Sequence, residues 1–165
     1  MSSYKFGSIS IAQTQVFLTS PLSFCFVNIA PVLPGHILVS PRRFGVKSIT
    51  DLTNSEVSDL FLLVQRVSIL LKKFYKSKDF TVSIQDGPLA GQTVNHVHVH
   101  VIPRFAGDFE PKDKIYDSLE KRVHVDADMS DPRVRRSPED MEKESHDYRE
   151  LAKEMFGTWE FHSFI

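Results

Sequence analysis

The sequence predicts an α+β protein in which helices pack on one face of an antiparallel sheet. Segments rich in β-branched and aromatic residues outnumber segments with helical periodicity, and most connections between the strand-like segments are short. Short connections favour antiparallel neighbours, because parallel strands need long crossovers. The length of 165 residues fits one domain, so we assign residues 1–165 to a single unit.

Composition and charge exclude several classes of protein. The formal net charge of −1 provides no basic field for a nucleic-acid backbone, so no nucleic-acid partner is expected. The apolar runs are far shorter than the roughly 20 residues of a membrane span, so no membrane partner is expected. The single cysteine, Cys25, cannot form an internal disulfide, and no signal peptide is visible. An intracellular location is therefore expected, in the cytoplasm or the nucleus.

The first half of the chain predicts strands at 9–18, 23–28 and 37–40, with the first one divisible into two short strands. The stretch 31–35 contains two prolines and a glycine, which is typical of a turn. Pro41 is expected to end the third of these strands.

A long helix is the clearest element of the sequence. Thr53 followed three residues later by Glu56 has the form of a capping box, which starts helices. Apolar residues then recur at spacings of three and four over about five turns. They are Val57, Leu60, Phe61, Val64, Val67, Leu71 and Phe74.

The second half predicts a strand at 80–85, a turn-rich loop at 86–91 and a strand at 96–102 that stops at Pro103. Beyond it lies a polar, charged stretch, and we expect a mobile segment at about 107–136.

A second main helix is predicted near the end of the sequence. Ser137 is the expected N-cap, Pro138 the first helical residue and Gly157 the stop. The final residues, 158–165, form an apolar tail with Trp159, Phe161 and Phe164.

Three histidines alternate with valines in the predicted strand 96–102. Because strand side chains alternate between faces, His96, His98 and His100 share one face, with same-face neighbours about 6.5–7 Å apart. The intervening valines share the other face and can pack on the long helix.

Four interpretations fit this row of imidazoles. Strict alternation disfavours incidental histidines on a polar face. A zinc site is possible for alternating histidines, but the sequence has no cysteine nearby to complete it. A pH switch ranks below both metal binding and catalysis. Nucleophilic catalysis fits a neutral imidazole, whose unperturbed pKa is about 6.5. The preceding loop favours this last interpretation, because glycines let backbone N–H groups approach an oxyanion, although alone it is equally a plain turn.

The motif His-Val-His-Val-His-Val-Ile at 96–102 resembles that of the histidine triad superfamily. The segments 24–28, 31–41, 85–88 and 90–94 narrow the resemblance to the fragile histidine triad branch. The resemblance implies an antiparallel sheet of about five strands with two main helices, and a sheet that extends across a homodimer.

The resemblance also implies an activity, the hydrolysis of diadenosine tri- or tetraphosphate to AMP plus ADP or ATP. His98 would attack the α-phosphorus and form a covalent nucleotidyl-histidine. His100 would contact phosphate, His96 would orient the nucleophile partly through its backbone carbonyl, and His36 would support the triad from behind.

Substrate-binding residues follow from the same resemblance. The implied phosphate contacts are Gln85, Gln92 and Thr93, the ribose contact is Asn28, and the base pocket is Phe6, Phe26 and Leu38. The resemblance implies no protein-bound cofactor or metal, while a divalent cation, Mg²⁺ or Mn²⁺, would travel with the polyphosphate.

Two alternatives to this activity stay open. One is a hydrolase of nucleoside phosphoramidates or other nucleotidyl conjugates. The other is a nucleotide-binding signalling protein whose substrate complex is the active species. Residues 121–136 and the tail resemble no fixed family element, which leaves the preferred phosphate chain length open.

Overall fold

The computed structural model of the protein describes residues 4–120 and 135–157. Within these residues the chain forms seven strands and three helices, and the predicted α+β class is confirmed. The strands are β1 Tyr4–Phe6, β2 Ile9–Ile11, β3 Val16–Thr19, β4 Ser23–Val27, β5 Ile37–Pro41, β6 Asp79–Ser83 and β7 Val99–Arg104. The helices are α1 Asn54–Tyr75, α2 Lys114–Glu120 and α3 Pro138–Phe156.

The main sheet has five antiparallel strands in the order β3-β4-β5-β7-β6. The histidine strand β7 therefore lies inside the sheet, between β5 and β6. Leu38 on β5 and Ser83 on β6 both stand opposite His100 in the register. The strands β1 and β2 form a separate two-stranded hairpin.

The hydrophobic core lies between the sheet and two of the helices. Helix α1 packs across β4, β5 and β7, and α3 packs beside α1 against β3 and β4. Val99 and Val101 are fully buried in this core together with residues of α1 such as Leu63 and Val67. The valine face of β7 thus packs on the long helix, as the sequence predicts.

Both predicted helix starts are confirmed. The Thr53 hydroxyl accepts a hydrogen bond from the Glu56 backbone N–H at 3.2 Å, and the Glu56 carboxylate accepts one from the Thr53 N–H at 2.8 Å. At the start of α3 the Ser137 hydroxyl accepts from the Asp140 N–H at 3.1 Å. Gly157 follows the helix with φ of 68° and ψ of −159°, a positive-φ conformation that glycine adopts readily, and its N–H donates to the Lys153 carbonyl.

The strand boundaries differ from the prediction at the histidines. Strand β7 begins at Val99 rather than at His96, because the Val97 N–H donates to the Val46 carbonyl at 2.9 Å and not to a sheet neighbour. Pro103 does not end the strand, because a proline keeps its carbonyl acceptor and lies opposite Phe80 within the ladder.

Helix α2 lies within the segment for which only mobility was predicted. Its Ile115 and Leu119 are buried against Ile102, which shares the histidine face of β7. Two apolar residues in seven are too few for a helical period to be recognised in the sequence. The predictions for 121–134 and for the tail 158–165 fall outside the described residues. None of the described helices combines the length and the apolar character that crossing a membrane requires.

Candidate active site

The three motif histidines lie side by side on the face of the sheet opposite α1. Their side chains are buried, and His98 retains 5% of its accessible surface. The ring centroids of His98 and His100 are 4.9 Å apart. The structure therefore brings the three imidazoles together on one face, as the alternation predicts.

A backbone carbonyl fixes the tautomer of His98. Its Nδ1 lies 2.8 Å from the backbone oxygen of His96. A carbonyl oxygen can only accept, so Nδ1 of the neutral ring carries the hydrogen and Nε2 carries the lone pair. The ring atom of the central histidine that can attack an electrophile is consequently Nε2.

A backbone amide fixes the tautomer of His100 through an intermediate histidine. The Val32 N–H donates to Nδ1 of His36 at 3.2 Å, so the neutral His36 ring carries its hydrogen on Nε2. That Nε2 lies 3.0 Å from Nδ1 of His100, which then accepts. His100 therefore carries its own hydrogen on Nε2, where it can be donated to an anionic oxygen.

His96 is held by the neighbouring strand. Its Nε2 lies 3.0 Å from the Pro41 carbonyl, to which it donates. Burial lowers the pKa of His96 below its ordinary value near 6.5, so the ring is neutral at pH 7. The ring thereby anchors the backbone whose carbonyl orients His98, which agrees with the orienting role implied for this residue.

Asn28 packs against the His36 side of the site. Its carboxamide oxygen accepts from the Ala30 N–H at 3.0 Å, and its Nδ2 lies 3.4 Å from Nε2 of His36. Both side chains are buried. Asn28, His36 and His100 thus form one contiguous cluster.

The glycine-containing loop that precedes the histidines holds the remaining predicted polar residues. A Cβ on Gly91 would lie 2.5 Å from Nε2 of Gln85, so the glycine permits close approach of that side chain. Gln92 accepts from the Gly87 N–H at 2.9 Å and donates to the Lys47 carbonyl at 2.8 Å, so both ends of its amide are engaged within the protein. Thr93 is exposed.

The predicted base-pocket residues adjoin the nucleophile. Phe6, Phe26 and Leu38 belong to one buried apolar cluster. The Phe6 and His98 rings are roughly perpendicular, with the centroids 4.9 Å apart and the planes at 87°. The hairpin β1–β2, which carries Phe6, therefore places an apolar side chain against the His98 ring.

Sequence reasoning missed the backbone atoms that orient the rings. The Val32 N–H and the Pro41 carbonyl have no signature in the sequence, since every residue but proline has both groups. Ser83, which stands opposite His100, was also not singled out. Within residues 4–120 and 135–157, no three or more histidine, cysteine or carboxylate side chains are grouped so that they could hold a metal ion.

Comparison with known proteins agrees with this geometry. The HIT domain family matches residues 11–107. The chain is 48% identical over 153 residues to a bifunctional bis(5'-adenosyl)-triphosphatase/adenylylsulfatase FHIT of Arabidopsis thaliana, covering 91% of this chain and 84% of the relative. It is 46% identical to a bis(5'-adenosyl)-triphosphatase of Dictyostelium discoideum, covering 93% of this chain and 96% of the relative.

A solved structure shares the fold over most of the chain. The crystal structure of Plasmodium falciparum diadenosine triphosphate hydrolase in complex with cyclomarin A superposes with a TM-score of 0.76 at 33% identity, covering 94% of this chain and 88% of that one. Since both the sequence and the fold match over nearly their full length, the chain belongs to the HIT domain family and, within it, to the fragile histidine triad branch.

Proposed function

We propose that this protein hydrolyses diadenosine polyphosphates, with diadenosine triphosphate as the first substrate to test. The observation that carries the proposal is the pair of fixed tautomers, a lone pair on Nε2 of His98 beside a hydrogen donor on Nε2 of His100. The names of the two relatives, both triphosphatases of this kind, support the same substrate class.

In the first step, Nε2 of His98 attacks the α-phosphorus and a nitrogen–phosphorus bond forms. The bond from that phosphorus to the bridging oxygen breaks, and ADP leaves with the bond's electron pair. ADP is a weak base, so its departure needs little acid assistance. The His98 ring becomes cationic, and the His96 carbonyl that accepts from its Nδ1 stabilises that charge.

In the second step, water attacks the same phosphorus, the nitrogen–phosphorus bond breaks and AMP is released. The electron pair returns to Nε2 of His98, and the proton of the water passes to solvent. The sum is diadenosine triphosphate plus water giving AMP plus ADP. Both steps place additional charge on phosphoryl oxygens, and the N–H of His100 is positioned to stabilise it.

Substrate contacts form the finer part of the proposal. Gln85 beside Gly91 would bind phosphate, together with the exposed Thr93 and the loop that Gln92 holds. Asn28 would bind ribose. The apolar cluster of Phe6, Phe26 and Leu38 would receive a base. A divalent cation would enter with the polyphosphate, since Mg²⁺ binds mainly phosphate oxygens.

A homodimer with a continuous sheet is also proposed. Strand β6 lies at an edge of the sheet, where its outer backbone groups can pair with a second copy. On α1 the apolar residues Phe61, Leu62 and Ile69 are exposed at spacings that place them on one side of the helix. Sedimentation of the wild type should give twice the monomer mass, and Leu62→Glu should give monomers.

Product analysis with dinucleotides of different phosphate number tests the activity. The wild type should release AMP from diadenosine triphosphate, and the AMP formed in ¹⁸O-labelled water should carry the label. His98→Asn should lose at least about 10³-fold in turnover while still binding substrate. Full activity of His98→Asn would refute the nucleophilic mechanism.

A second candidate function is hydrolysis of another nucleotidyl conjugate. The name of the Arabidopsis relative includes adenylylsulfatase activity, and the same attack on an α-phosphorus would release sulfate instead of ADP. Rates on adenylyl sulfate and adenosine phosphoramidate, compared with the rate on diadenosine triphosphate, separate the two candidates. A larger kcat/KM on either conjugate would favour the second one.

A further inference from the structure

The loop at 86–92, which precedes the histidines, is fastened to a second segment of the chain at 46–49. We call the first segment the phosphate loop and the second the platform. The phosphate loop follows the end of β6 and belongs to no strand. Sheet pairing therefore does not fix it. The N–H groups of Ala90 and Gln92 donate to the Gly87 carbonyl at 3.0 and 3.1 Å, which shapes the loop locally, and the hydrogen bonds to the platform fix its position relative to the rest of the chain.

Asp86 provides the first fastening. Its Oδ2 accepts from the Ser48 hydroxyl at 2.9 Å, and its Oδ1 accepts from the Ile49 N–H at 3.2 Å. A carboxylate in a loop that binds phosphate would repel the ligand if it faced it. Here both carboxylate oxygens instead accept hydrogen bonds from the platform.

Gln92 provides the second fastening, from the other end of the phosphate loop. Its carboxamide oxygen accepts from the Gly87 N–H at 2.9 Å, which closes the loop on itself. Its Nε2 donates to the Lys47 carbonyl at 2.8 Å, which joins the closed loop to the platform. The Gln92 side chain, implied above to contact phosphate, is thus engaged in holding the backbone.

The platform also contacts the histidine segment just before β7. The Val46 carbonyl accepts from the N–H of Val97, the residue between His96 and His98, at 2.9 Å. The platform is itself held by Asp51, whose Oδ2 accepts from the N–H groups of Lys47 and Ser48, both at 3.0 Å. One short segment therefore links the phosphate loop to the backbone of the nucleophile.

We propose that Asp86 and Gln92 are positioning residues, which hold the phosphate loop in its binding shape by fastening it to the platform. This inference rests on the proposed function, because it assigns the loop to a phosphate ligand. A loop that is already ordered loses less conformational entropy when substrate binds. Removing a fastening should therefore weaken substrate binding more than it slows the chemical step at His98.

The primary test compares Asp86→Ala with Asp86→Asn and with Asp79→Ala, a control at the exposed start of β6. Asp86→Ala removes both hydrogen bonds to the platform, so it should raise the KM for diadenosine triphosphate about tenfold, with kcat changed by less than about threefold. Asp86→Asn retains an oxygen acceptor for Ile49 and an N–H partner for Ser48, so its KM should return close to that of the wild type. Asp79→Ala should match the wild type.

If Asp86 had only a structural role, Asp86→Ala would lower Tm and kcat together. Asp86→Asn would then not restore KM separately from Tm. An unchanged KM in Asp86→Ala, or a fall confined to kcat, would overturn the proposal. A double-mutant cycle with Ser48→Ala adds an independent criterion. The double variant should have nearly the KM of the Asp86→Ala variant, because both changes remove the same hydrogen bond.

Binding measured without turnover separates this inference from the proposed function. In a His98→Asn background, calorimetry with diadenosine triphosphate should show about tenfold weaker binding when Asp86→Ala is added. If the wild type neither binds nor hydrolyses this compound, the proposed function fails, and the positioning role fails with it. If the wild type is active and Asp86→Ala binds equally well, only the positioning role fails.

Discussion

His36 and His100, which are 64 positions apart in the sequence, are joined through Nε2 of one ring and Nδ1 of the other at 3.0 Å. Through this contact, the tautomer that the Val32 N–H imposes on His36 also fixes the tautomer of His100. As a result, the donor character of His100 is determined by a backbone group in the turn at 31–35.

Substitution of His36 should therefore damage chemistry rather than binding. His36→Ala removes the partner of Nδ1 in His100, so the N–H of His100 is no longer fixed toward substrate. We expect kcat to fall about 100-fold, the typical loss of one charge-stabilising donor, with a smaller change in KM. Steady-state kinetics on diadenosine triphosphate measures both values, with His146→Ala, an exposed histidine on α3, as the control. Equal losses of kcat in the two variants would contradict the role of His36 in fixing the tautomer of His100.

Gly91 and Gly45 form a matched pair for testing the close approach of Gln85. Both have positive φ, 88° and 82°, so alanine should cost about 1 kcal/mol of unfolding free energy at either position. Only at Gly91 would the new Cβ meet Nε2 of Gln85, at 2.5 Å, whereas nothing lies within 4 Å at Gly45. Gly91→Ala should thus raise KM, and Gly45→Ala should not. A common KM for the two variants would show that Gln85 contributes little to substrate binding.

The contact between Phe6 and His98 predicts a kinetic effect from a conservative change. Phe6→Leu keeps the apolar character but removes the aromatic ring that packs against His98, so we expect about tenfold lower kcat. Phe24→Leu is the control, because Phe24 belongs to the same cluster and stacks on Phe26. Each change should cost about 1 kcal/mol of stability, which urea titration measures. A turnover loss shared by both variants would assign the effect to general loosening of the cluster.

Acid sensitivity should be traceable to Glu56. Hydrogen bonds from the Arg43 guanidinium lower the pKa of the Glu56 carboxyl from about 4.5 to about 2. Since the folded pKa is the lower one, this stabilisation is complete above about pH 4.5 and is lost as the pH falls toward 2. Glu56→Gln keeps the helix cap but removes the charge, so it should lower the unfolding free energy at pH 7 by about 1–2 kcal/mol.

The difference between wild type and Glu56→Gln should then vanish near pH 2, as measured by urea titration at several pH values. Glu150→Gln serves as the control, because Glu150 pairs with Lys153 on the exposed surface. A difference that persisted unchanged at pH 2 would show that the carboxylate charge is not the cause.

Most of the correctly predicted elements were recognised from patterns within a few neighbouring residues. The capping residues Thr53 and Ser137 start helices through contacts within three residues, and these survive in any surrounding structure. The alternation at 96–102 similarly determines which face carries the imidazoles, whatever the strand's exact bounds. Very short elements were harder to predict, as the three-residue strand β1 and the seven-residue helix α2 show, because so few residues display no recognisable period.

The candidate site also combines features that the sequence predicts with features that depend on the folded structure. Side-chain type and alternation pointed to the three histidines at 96, 98 and 100, whereas the phosphate contact of Gln85 followed only from the family resemblance. The tautomers of His36, His96 and His100 were not predictable, because the Val32 amide and the Pro41 carbonyl act through backbone atoms whose position only the fold determines. The His96 carbonyl that orients His98, by contrast, was implied by the family resemblance. Gln92 lies in the loop where the sequence places it, but the hydrogen bonds of its carboxamide to Gly87 and Lys47 were not predicted.

Pairing between β5 and β7 joins residues 37–39 to residues 99–101. During synthesis, the earlier strand must wait for some sixty further residues before its partner leaves the ribosome, and such distant pairings form late in folding. A nascent chain that ends before residue 99 therefore cannot form this pairing and cannot cleave nucleotides. The contact between His36 and His100 spans this same pairing, so both segments must be present before that part of the site can form.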